Sequence, residues 1–296
     1  MIRAIVSVAV LLCSTSFVRA ENAAVSQAKG CTRNMLQTAV DNYLAAQEAG
    51  NPSKMPLGSK VEYFENMTEI KKDQGLWNAR LPIAFHRSFL DVDGCRTFTE
   101  VIVTEGGHPY VLGTRLKIED GKILEIDSLV TDKGDWLFNA DNYLKYSKAE
   151  DWRVLNANER VDRQALINAG NAYFDHFSDK AVPVPFGTPC ARLEGGAYTA
   201  RSFDDPNATC NIGFPEDKLP IVDRSYVVDV DMGTVNIFCR FGNPPGAPDS
   251  HTFRLVNGKL RYVHTLTLNV PGVGSEQIMG RQPKAKSQVQ VPGDAK

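Results

Sequence analysis

Apolar and polar residues follow one another along this chain in two series, each with a helical period first and strand-like runs after it. From 34 to 49, apolar residues recur at the three- and four-residue spacing of a helix face. Gly50-Asn51-Pro52 then ends the predicted helix. Strand-like runs follow at 60–64, 83–92, 96–104, 110–118 and 122–130. Turn signals such as Gly106-Gly107 and Asp120-Gly121 separate these runs.

The second half of the chain repeats this order. A helical pattern covers 161–177, and strand-like runs follow at 192–195, 224–230, 234–241, 251–256 and 259–269. Three matches indicate a duplication: 41–44 with 171–174, 56–65 with 185–194, and 117–123 with 254–260. A repeat of this length predicts two homologous domains, at 30–131 and 161–270. The connector, 132–160, contains Trp136 and Trp152, and we expect it to pack against a domain.

The first 20 residues have the pattern of a secretion signal. Arg3 precedes an apolar run from 4 to 13, and small and polar residues lead to Ala20. The run is about half of the ~20 residues that a membrane-spanning helix needs, and no later stretch is long enough. We therefore expect a secreted, extracellular protein with no membrane span. The composition of 271–296, rich in Pro, Gly, Gln and Lys, predicts a disordered tail.

Export places cysteines in an oxidising compartment, where disulfides form. One cysteine leaves with the signal, so an odd number remains and at least one lacks a partner within the chain. Cys190 and Cys210 bracket a loop rich in Gly, Asp, Pro and Asn, and we expect them to pair. Cys31 and Cys95 form the second expected pair. Cys239 lies on the apolar face of a predicted strand, either as a buried free thiol or as a nucleophile without an evident base.

Charge and short motifs exclude some classes of function. The chain has 33 Lys and Arg against 35 Asp and Glu, a net charge of −2, so we expect no nucleic-acid partner. Its sequence contains no zinc motif, phosphate-binding loop or serine–histidine–acid motif, and we expect no cofactor and no metal. The acceptor motifs Asn66-Met67-Thr68 and Asn207-Ala208-Thr209 predict exposed loops that are glycosylated if the host is a eukaryote.

One long helix followed by a curved antiparallel sheet, repeated once, is an α+β pattern. The segments with the clearest resemblance to known proteins are YLAA at 43–46, LKIEDGKI at 116–123, CARLEGG at 190–196, HTFR at 251–254 and RYVHT at 261–265. They resemble a family of secreted, mostly fungal proteins with two tandem nuclear transport factor 2-like domains, of the SnoaL-like or scytalone dehydratase-like kind. The resemblance spans about 30–270. It implies two tandem cone-shaped α+β barrels, each with a pocket between its helix and the concave face of its sheet, and it implies no particular reaction.

The last hairpin contains the leading candidates for chemistry. Asn257-Gly258 favours a two-residue turn whose register would place His251 opposite His264. Alternation would put both histidines and Tyr262 on one mostly apolar face, with the histidines ~5 Å apart. Imidazole exchanges protons near neutral pH, so His264 is the candidate base, assisted by His251 and Tyr262. The alternative is a buried histidine bonded to a backbone carbonyl, with Tyr262 in the core.

The first hairpin has the same pattern with acids in place of these residues. Its turn, Asp120-Gly121, would place Asp127 and Glu125 on the apolar face. A carboxylate on such a face has a raised pKa and can act as acid or base. Asp127 is therefore a candidate catalytic residue and Glu125 a candidate ligand-binding residue. The alternative is a solvated edge strand.

Other polar residues are candidates for a ligand-binding role in the second-domain pocket: Arg192, Glu194, Tyr226, Asp229 and Arg240. Glu65 matches Glu194 across the repeat, and the alternative for both is an ordinary surface carboxylate.

The leading hypothesis is a cofactor-free enzyme that acts on a small organic or carbohydrate ligand by proton transfer, as a dehydratase, lyase or isomerase. A non-catalytic ligand-binding or interaction protein is the alternative, and an effector that acts through an exposed apolar surface is a third reading. A homodimer formed through the sheets is expected from the resemblance, unless the two domains of one chain make that contact internally.

Overall fold

A computed structural model describes residues 30–215 and 218–270, so the expected signal at 1–20 and tail at 271–296 lie outside the described residues. The helices are α1 (Arg33–Ala49), α2 (Ala140–Ala149) and α3 (Arg163–Asp175). The strands of the first half are β1 (Leu57–Glu65), β2 (Thr68–Glu69), β3 (Phe85–Asp91), β4 (Arg96–Val103), β5 (Tyr110–Glu119) and β6 (Lys122–Thr131). Those of the second half are β7 (Phe186–Glu194), β8 (Ala197–Tyr198), β9 (Ile221–Asp229), β10 (Thr234–Phe241), β11 (Ala247–Val256) and β12 (Lys259–Thr267).

The two halves form two sheets with the same strand order. The first sheet has the order β2-β1-β6-β5-β4-β3, and the second has β8-β7-β12-β11-β10-β9. This agreement confirms two tandem α+β domains. Each sheet is antiparallel apart from one parallel pair, β1 with β6 and β7 with β12, which the sequence pattern did not predict.

Local sequence determines where the two long helices begin and end. Thr32 caps α1, since its side chain accepts a hydrogen bond from the Met35 backbone N–H. Gly50 ends α1 in the left-handed conformation at φ 59°, where a side chain would clash with the backbone of Arg80. Asp162 caps α3 in the same way as Thr32 caps α1. Within the described residues, no helix is long and apolar enough to cross a membrane.

The two long helices, α1 and α3, each pack on one face of their own sheet, called the inner face below. Val40 and Tyr43 of α1 are buried against the first sheet, and Tyr173 and Phe174 of α3 against the second. Gly170 allows close approach in α3, because a Cβ there would lie 2.6 Å from a side-chain carbon of the sheet. The interior of each domain therefore lies between its helix and the inner face.

The opposite, outer faces of the two sheets pack against each other. Phe98 of β4 meets Phe238 of β10 edge to face, with ring centroids 6.1 Å apart. Arg115 of β5 donates hydrogen bonds to the side chains of Asn236 and Ser225 in the second domain. Apolar and polar contacts together make this a buried interface between the domains.

The register of the last hairpin differs from the prediction. Both turn residues have positive φ, 51° at Asn257 and 72° at Gly258, as a type I′ turn requires. Beyond Leu260, however, Arg261 is an extra residue in β12, and His251 faces Thr265 while Thr252 faces His264. Such a bulge moves every later side chain to the opposite face. The prediction that the two histidines face each other is therefore wrong: His251 is on the inner face and His264 on the outer face.

An equivalent bulge lies in the first hairpin. Leu124 is the extra residue, so Arg115 faces Asp127 and Lys117 faces Glu125. Both acids are therefore on the outer face, towards the second domain, and their predicted place on the inner face is wrong for the same reason.

The structure contains both expected disulfides. Cys31 pairs with Cys95 at a Cα separation of 5.4 Å, and Cys190 with Cys210 at 5.2 Å. Cys239 is buried and free, which agrees with the first of its two readings. Of the two glycosylation acceptors, Asn207 is exposed, whereas Asn66 is half-buried and its side-chain oxygen accepts a hydrogen bond from Val130 N–H at 2.8 Å.

Candidate functional site

His251 lies on the inner face of the second domain, and aromatic rings hold it in place. Its imidazole stacks on Phe241, with centroids 5.8 Å apart and planes 4° from parallel, and meets the edge of Phe174 at 4.9 Å. The histidine residue is 4% exposed. Packing on this scale restricts the ring to one orientation.

Asp249 determines how that ring is oriented. Its Oδ1 lies 2.5 Å from His251 Nδ1, and Thr267 Oγ1 donates to its Oδ2 at 2.5 Å. The Asp249 side chain is fully buried, so its charge is stabilised by these donors rather than by water. No hydrogen bond to His251 Nε2 is found within residues 30–215 and 218–270. Asp249 therefore occupies one nitrogen of His251 and leaves the other available.

Cys239 also contacts this carboxylate, with its Sγ 3.5 Å from Asp249 Oδ1. Burial, and then the charge of Asp249, raise the pKa of the thiol well above its usual value. Because the thiolate is the nucleophilic form, Cys239 is a poor nucleophile here.

A small cavity of about 10 Å³ adjoins His251, enough for about one water molecule. Its lining comprises Trp136, Tyr173, Phe177, Arg192, Glu194, Phe241, His251, Thr265 and Thr267. Arg192 donates to Tyr173 Oη at 3.1 Å, and its Nε lies 3.0 Å from Glu194 Oε1. Three of the predicted site residues, His251, Arg192 and Glu194, therefore meet at one cavity that also presents a tyrosine hydroxyl.

His264 lies elsewhere, between the domains. Its Nδ1 is 3.0 Å from Glu100 Oε2 of the first domain, and its Nε2 is 2.6 Å from Glu150 Oε2 of the connector. Burial alone would lower the pKa of His264, but the charges of Glu150 and Glu100 outweigh burial and raise it to about 9. A protonated imidazole with both nitrogens bonded is a structural cation. His264 thus corresponds to the buried, bonded alternative, with carboxylates in place of the expected carbonyl.

Tyr262 shares the outer face with His264. Its hydroxyl accepts a hydrogen bond from Asp151 N–H at 3.3 Å, and its ring stacks on Trp152 at 5.6 Å. Tyr262 therefore lies on the opposite face of the sheet from His251. The tyrosine at the cavity beside His251 is Tyr173 instead.

The remaining predicted residues have other positions. Asp127, Glu125 and Arg240 line a cleft between the two domains. Tyr226 Oη donates to Asn171 of α3 at 2.9 Å, and Asp229 binds residues of the first domain. Glu65 Oε2 accepts a hydrogen bond from Leu76 N–H at 2.6 Å.

Sequence reasoning missed Asp249 and Trp136 as site residues. Asp249 precedes His251 by two residues in a strand, so alternation alone would have placed the two side chains on one face. Trp136 comes from the connector, and no local signal relates it to the second sheet. In the described parts of the chain, no group of three or more His, Cys, Asp or Glu residues is placed to hold a metal ion.

Comparisons with known proteins give a partial match. A family model described as a domain of unknown function (DUF8021) matches residues 159–267, which contain α3 and the second sheet. No curated protein matches the chain.

Three solved structures are similar to part of the chain. A nuclear transport factor 2-like protein of unknown function from Burkholderia xenovorans is 15% identical over 35% of this chain and 88% of its own, with a TM-score of 0.27. A proposed hydroxylase from Streptomyces galilaeus is 13% identical over 34% and 82%, with a TM-score of 0.28. A proposed polyketide cyclase from a Silicibacter species is 16% identical over 38% and 94%, also at 0.28. These similarities are weak and each spans about one domain, so the α+β class rests on the two sheets themselves.

Proposed function

We propose that the second domain holds an acid–base site, built on His251 and Asp249, that acts on a small organic or carbohydrate ligand by proton transfer. The observation that supports this most is the 2.5 Å contact between Asp249 Oδ1 and His251 Nδ1 beside a cavity. A buried carboxylate that binds one nitrogen of a histidine fixes the tautomer and leaves the other nitrogen to exchange protons. His251 thus takes the role that the sequence pattern favoured for His264.

In the proposed reaction, His251 Nε2 removes a proton from a carbon next to a carbonyl group. The C–H electron pair moves into the new carbon–carbon double bond and the carbonyl oxygen becomes an enolate, which Arg192 and Tyr173 are placed to stabilise. With an α-hydroxycarbonyl substrate, the α-hydroxyl proton moves to the enolate oxygen, and return of the carbon-bound proton from His251 to the former carbonyl carbon gives isomerisation. Loss of a β-hydroxyl group, protonated by the imidazolium, gives water and a dehydrated product. Both outcomes balance without an oxidant or reductant.

The present cavity is smaller than any such ligand, so binding requires side chains at its mouth to move. Trp136 is half-buried and belongs to the connector rather than to the second sheet. In this proposal Trp136 swings outward to admit the ligand.

The alternative, a non-catalytic binding or interaction protein, is supported by that same small volume. The inner face of the first domain also favours this alternative. Its buried hydrogen-bond network consists of hydroxyl groups, because Tyr43 Oη donates to Thr114, which bonds Ser128.

We further propose that residues 1–20 direct export of the protein. An extracellular location suits its two disulfides.

Deuterium exchange tests the acid–base site without knowledge of the substrate. The protein is incubated in D₂O with a panel of hydroxyketones and reducing sugars, and deuterium uptake at carbon is measured by mass spectrometry. We expect catalysed uptake for at least one compound, lost in His251→Gln and retained in His86→Gln, which changes an exposed histidine. Circular dichroism verifies that both variants are folded. Uptake that persists in His251→Gln, or none with the wild-type protein, contradicts the proposal and favours the non-catalytic alternative.

A further inference from the structure

A second cavity, distinct from the one beside His251, lies between the outer faces of the two domains. It is an open cleft of about 340 Å³. Strands β1 and β6 form one wall and strands β9 and β10 the other. Both walls contribute apolar side chains, Phe64 and Met67 from the first domain and Phe238 from the second, and both contribute charged groups. A cleft that combines apolar and charged side chains is suited to a small amphipathic ligand.

Four carboxylates and one guanidinium line the cleft: Glu62, Glu125, Asp127, Asp223 and Arg240. Two of these carboxylates already have partners. Glu125 accepts a hydrogen bond from Arg96 at 2.9 Å, and Asp223 lies 3.6 Å from Arg240. Neither Asp127 nor Glu62 has an ion pair or hydrogen bond within the described ranges. The cleft therefore has an excess of negative charge, and two of its carboxylates are free to bind.

Asp127 is the less solvated of these two carboxylates. Its Oδ1 is fully enclosed and receives no hydrogen bond from any described residue. Arg115 is the nearest buried cation, but it donates to Ser225 and Asn236 of the second domain, and its guanidinium lies 3.8 Å above the Phe238 ring. Arg115 thus attracts Asp127 through charge without satisfying its oxygen. An enclosed acceptor without a donor costs about 1–3 kcal/mol, and the unpaired negative charge of this carboxylate remains available to attract a cation in the cleft.

We propose that this cleft binds a small organic cation, with its ammonium group on Asp127 and Glu62 and its apolar part on Phe64 and Met67. An anion is disfavoured by the excess of carboxylates, and a neutral ligand leaves the charge of Asp127 unbalanced. A metal ion is a poor fit, since no described cluster of three or more His, Cys, Asp or Glu is placed to hold one. The site is separate from the proposed acid–base site and does not depend on it.

The protonation of Asp127 adds a dependence on pH. Burial is the main cause that raises its pKa to about 6, although the charge of Arg115 opposes the rise. Other charged groups around it are Glu125, Arg96, Glu62, Asp223 and Arg240. Above this pKa the carboxylate is ionised and can bind a cation. Below it, binding weakens because the proton and the ammonium group compete for the same oxygens.

Three ligands of one shape test the proposal by calorimetric titration of the full-length protein. They are benzylamine, benzyl alcohol and benzoate, which are cationic, neutral and anionic. At about pH 7.5 we expect benzylamine to bind roughly tenfold or more tightly than the other two, the range of a hydrogen bond between charged groups. Equal binding of benzyl alcohol, or no saturable binding of benzylamine, overturns the proposal without any mutation.

Variants then locate the site. Asp127→Asn keeps the shape of the side chain and should weaken benzylamine roughly tenfold or more. Glu119→Gln removes one exposed carboxylate outside the cleft, and His251→Gln alters the other site, so both should bind benzylamine as the wild-type protein does. Unchanged affinity in Asp127→Asn would falsify the assignment. Benzylamine binding that disappears in His251→Gln would place the cation in the acid–base cavity instead and would likewise overturn it.

Discussion

Arg163, the first residue of α3 in the second domain, donates two hydrogen bonds to Asp91 of the first domain, at 2.5 and 2.9 Å. The Asp91 side chain is fully buried. Its Oδ2 also accepts a hydrogen bond from the backbone N–H of Val228 at 2.9 Å, on the edge strand of the second sheet. One carboxylate thus joins the helix and the sheet of the other domain.

The opposite contact is made by equivalent residues. Arg33, the first residue of α1, donates to both oxygens of Asp229 at 2.9 Å, and the N–H of Leu90 donates to Asp229 Oδ2 at 2.9 Å. Residue for residue, the first domain binds the second as the second binds the first. This reciprocity is the property of a two-fold symmetric dimer interface, realised here within one chain.

The reciprocity predicts equal effects from equivalent substitutions. Asp91→Asn and Asp229→Asn each remove a buried charge that binds a partly exposed arginine and a backbone N–H. We expect each variant to lower the free energy of unfolding by about 1–3 kcal/mol, measured by urea denaturation. Asp93→Asn, at an exposed neighbouring position, should change it by less than about 0.5 kcal/mol. A large loss in one variant beside none in the other would show that the interface is not symmetric in energy.

The charge of His264 predicts how stability depends on alkaline pH. Its pKa is about 9 in the folded protein against 6.5 in the unfolded chain, because Glu150 and Glu100 stabilise the imidazolium against the cost of burial. This raised pKa contributes stability that is fully present below about pH 6.5 and is lost as pH rises through 9. The loss should be on the order of 3 kcal/mol, from 1.36 kcal/mol per pH unit. Urea denaturation at several pH values measures it.

A substitution separates His264 from the other groups that titrate in that range. His264→Gln removes the cation shared by the buried Glu100 and Glu150, leaves only Arg87 at 3.6 Å from Glu100, and should cost about 3–5 kcal/mol near neutral pH. The difference between variant and wild type should shrink as pH rises, whereas exposed His86→Gln should show no such trend. A difference that stays constant between about pH 7 and 10 would mean that His264 is neutral in the folded protein.

Acid should destabilise the cluster of His264, Glu100 and Glu150, because it protonates Glu100. Burial opposes ionisation of this carboxyl, but the charge and hydrogen bond of His264, together with Arg87, outweigh burial and lower its pKa below 4.5. The stabilisation is therefore present above about pH 4.5 and is lost as pH falls through the folded value. Denaturation of His264→Gln should show a weaker acid-side loss than that of the wild-type protein. If the free energy of unfolding falls equally at low pH in both proteins, then His264 does not lower the pKa of Glu100.

Features that depend on local sequence were predicted correctly. The end of the first helix at Gly50, the Asn257-Gly258 turn and both disulfides agree with the prediction, whereas α3, predicted over 161–177, is shorter by two residues at each end. Gly and Asn tolerate positive φ better than other residues, so Asn257 and Gly258 favour this turn by their own conformational preferences.

The two bulges could not be predicted in the same way. Neither Leu124 nor Arg261 is a glycine or a turn residue, and a bulge here serves the packing of both faces of the strand. The outer face meets the other domain, and its contacts are remote in sequence: Glu100 lies 164 residues from His264 and Glu150 lies 114 from it. A single hairpin pattern contains no information about such partners, so the register of β12 and the face on which His264 lies were predicted wrongly.

Cys239 should be inert to thiol reagents in the folded protein. The thiol is buried, so a reagent cannot reach it. Burial and the charge of Asp249 also raise its pKa, so little of it is in the reactive thiolate form. We expect iodoacetamide to label Cys239 only after denaturation, as measured by peptide mass spectrometry. Rapid labelling of native protein would show that the core around Cys239 opens often enough to admit a reagent.

The tautomer of His251 is the most direct check on the proposed acid–base site. If Asp249 accepts a hydrogen bond from Nδ1–H, then nitrogen NMR near pH 8 should show Nδ1 protonated and Nε2 unprotonated. His176 supplies an internal reference, because its Nδ1 bonds the carbonyl oxygen of Val182 at 3.1 Å and a carbonyl can only accept.

Asp249→Asn alters this hydrogen bond while it preserves the shape of the side chain. The amide has one oxygen where the carboxylate had two, and Thr267 competes for it, so the amide NH₂ group can face His251 and favour the Nε2–H form. We expect the Nδ1–H signal of His251 to weaken while that of His176 is unchanged. Deuterium uptake by any compound that exchanges should fall by roughly 100-fold or more, the usual contribution of a positioned base. An Nε2–H signal for His251 in the wild-type protein would refute the assigned base, because the nitrogen that faces the ligand would then be unable to accept a proton.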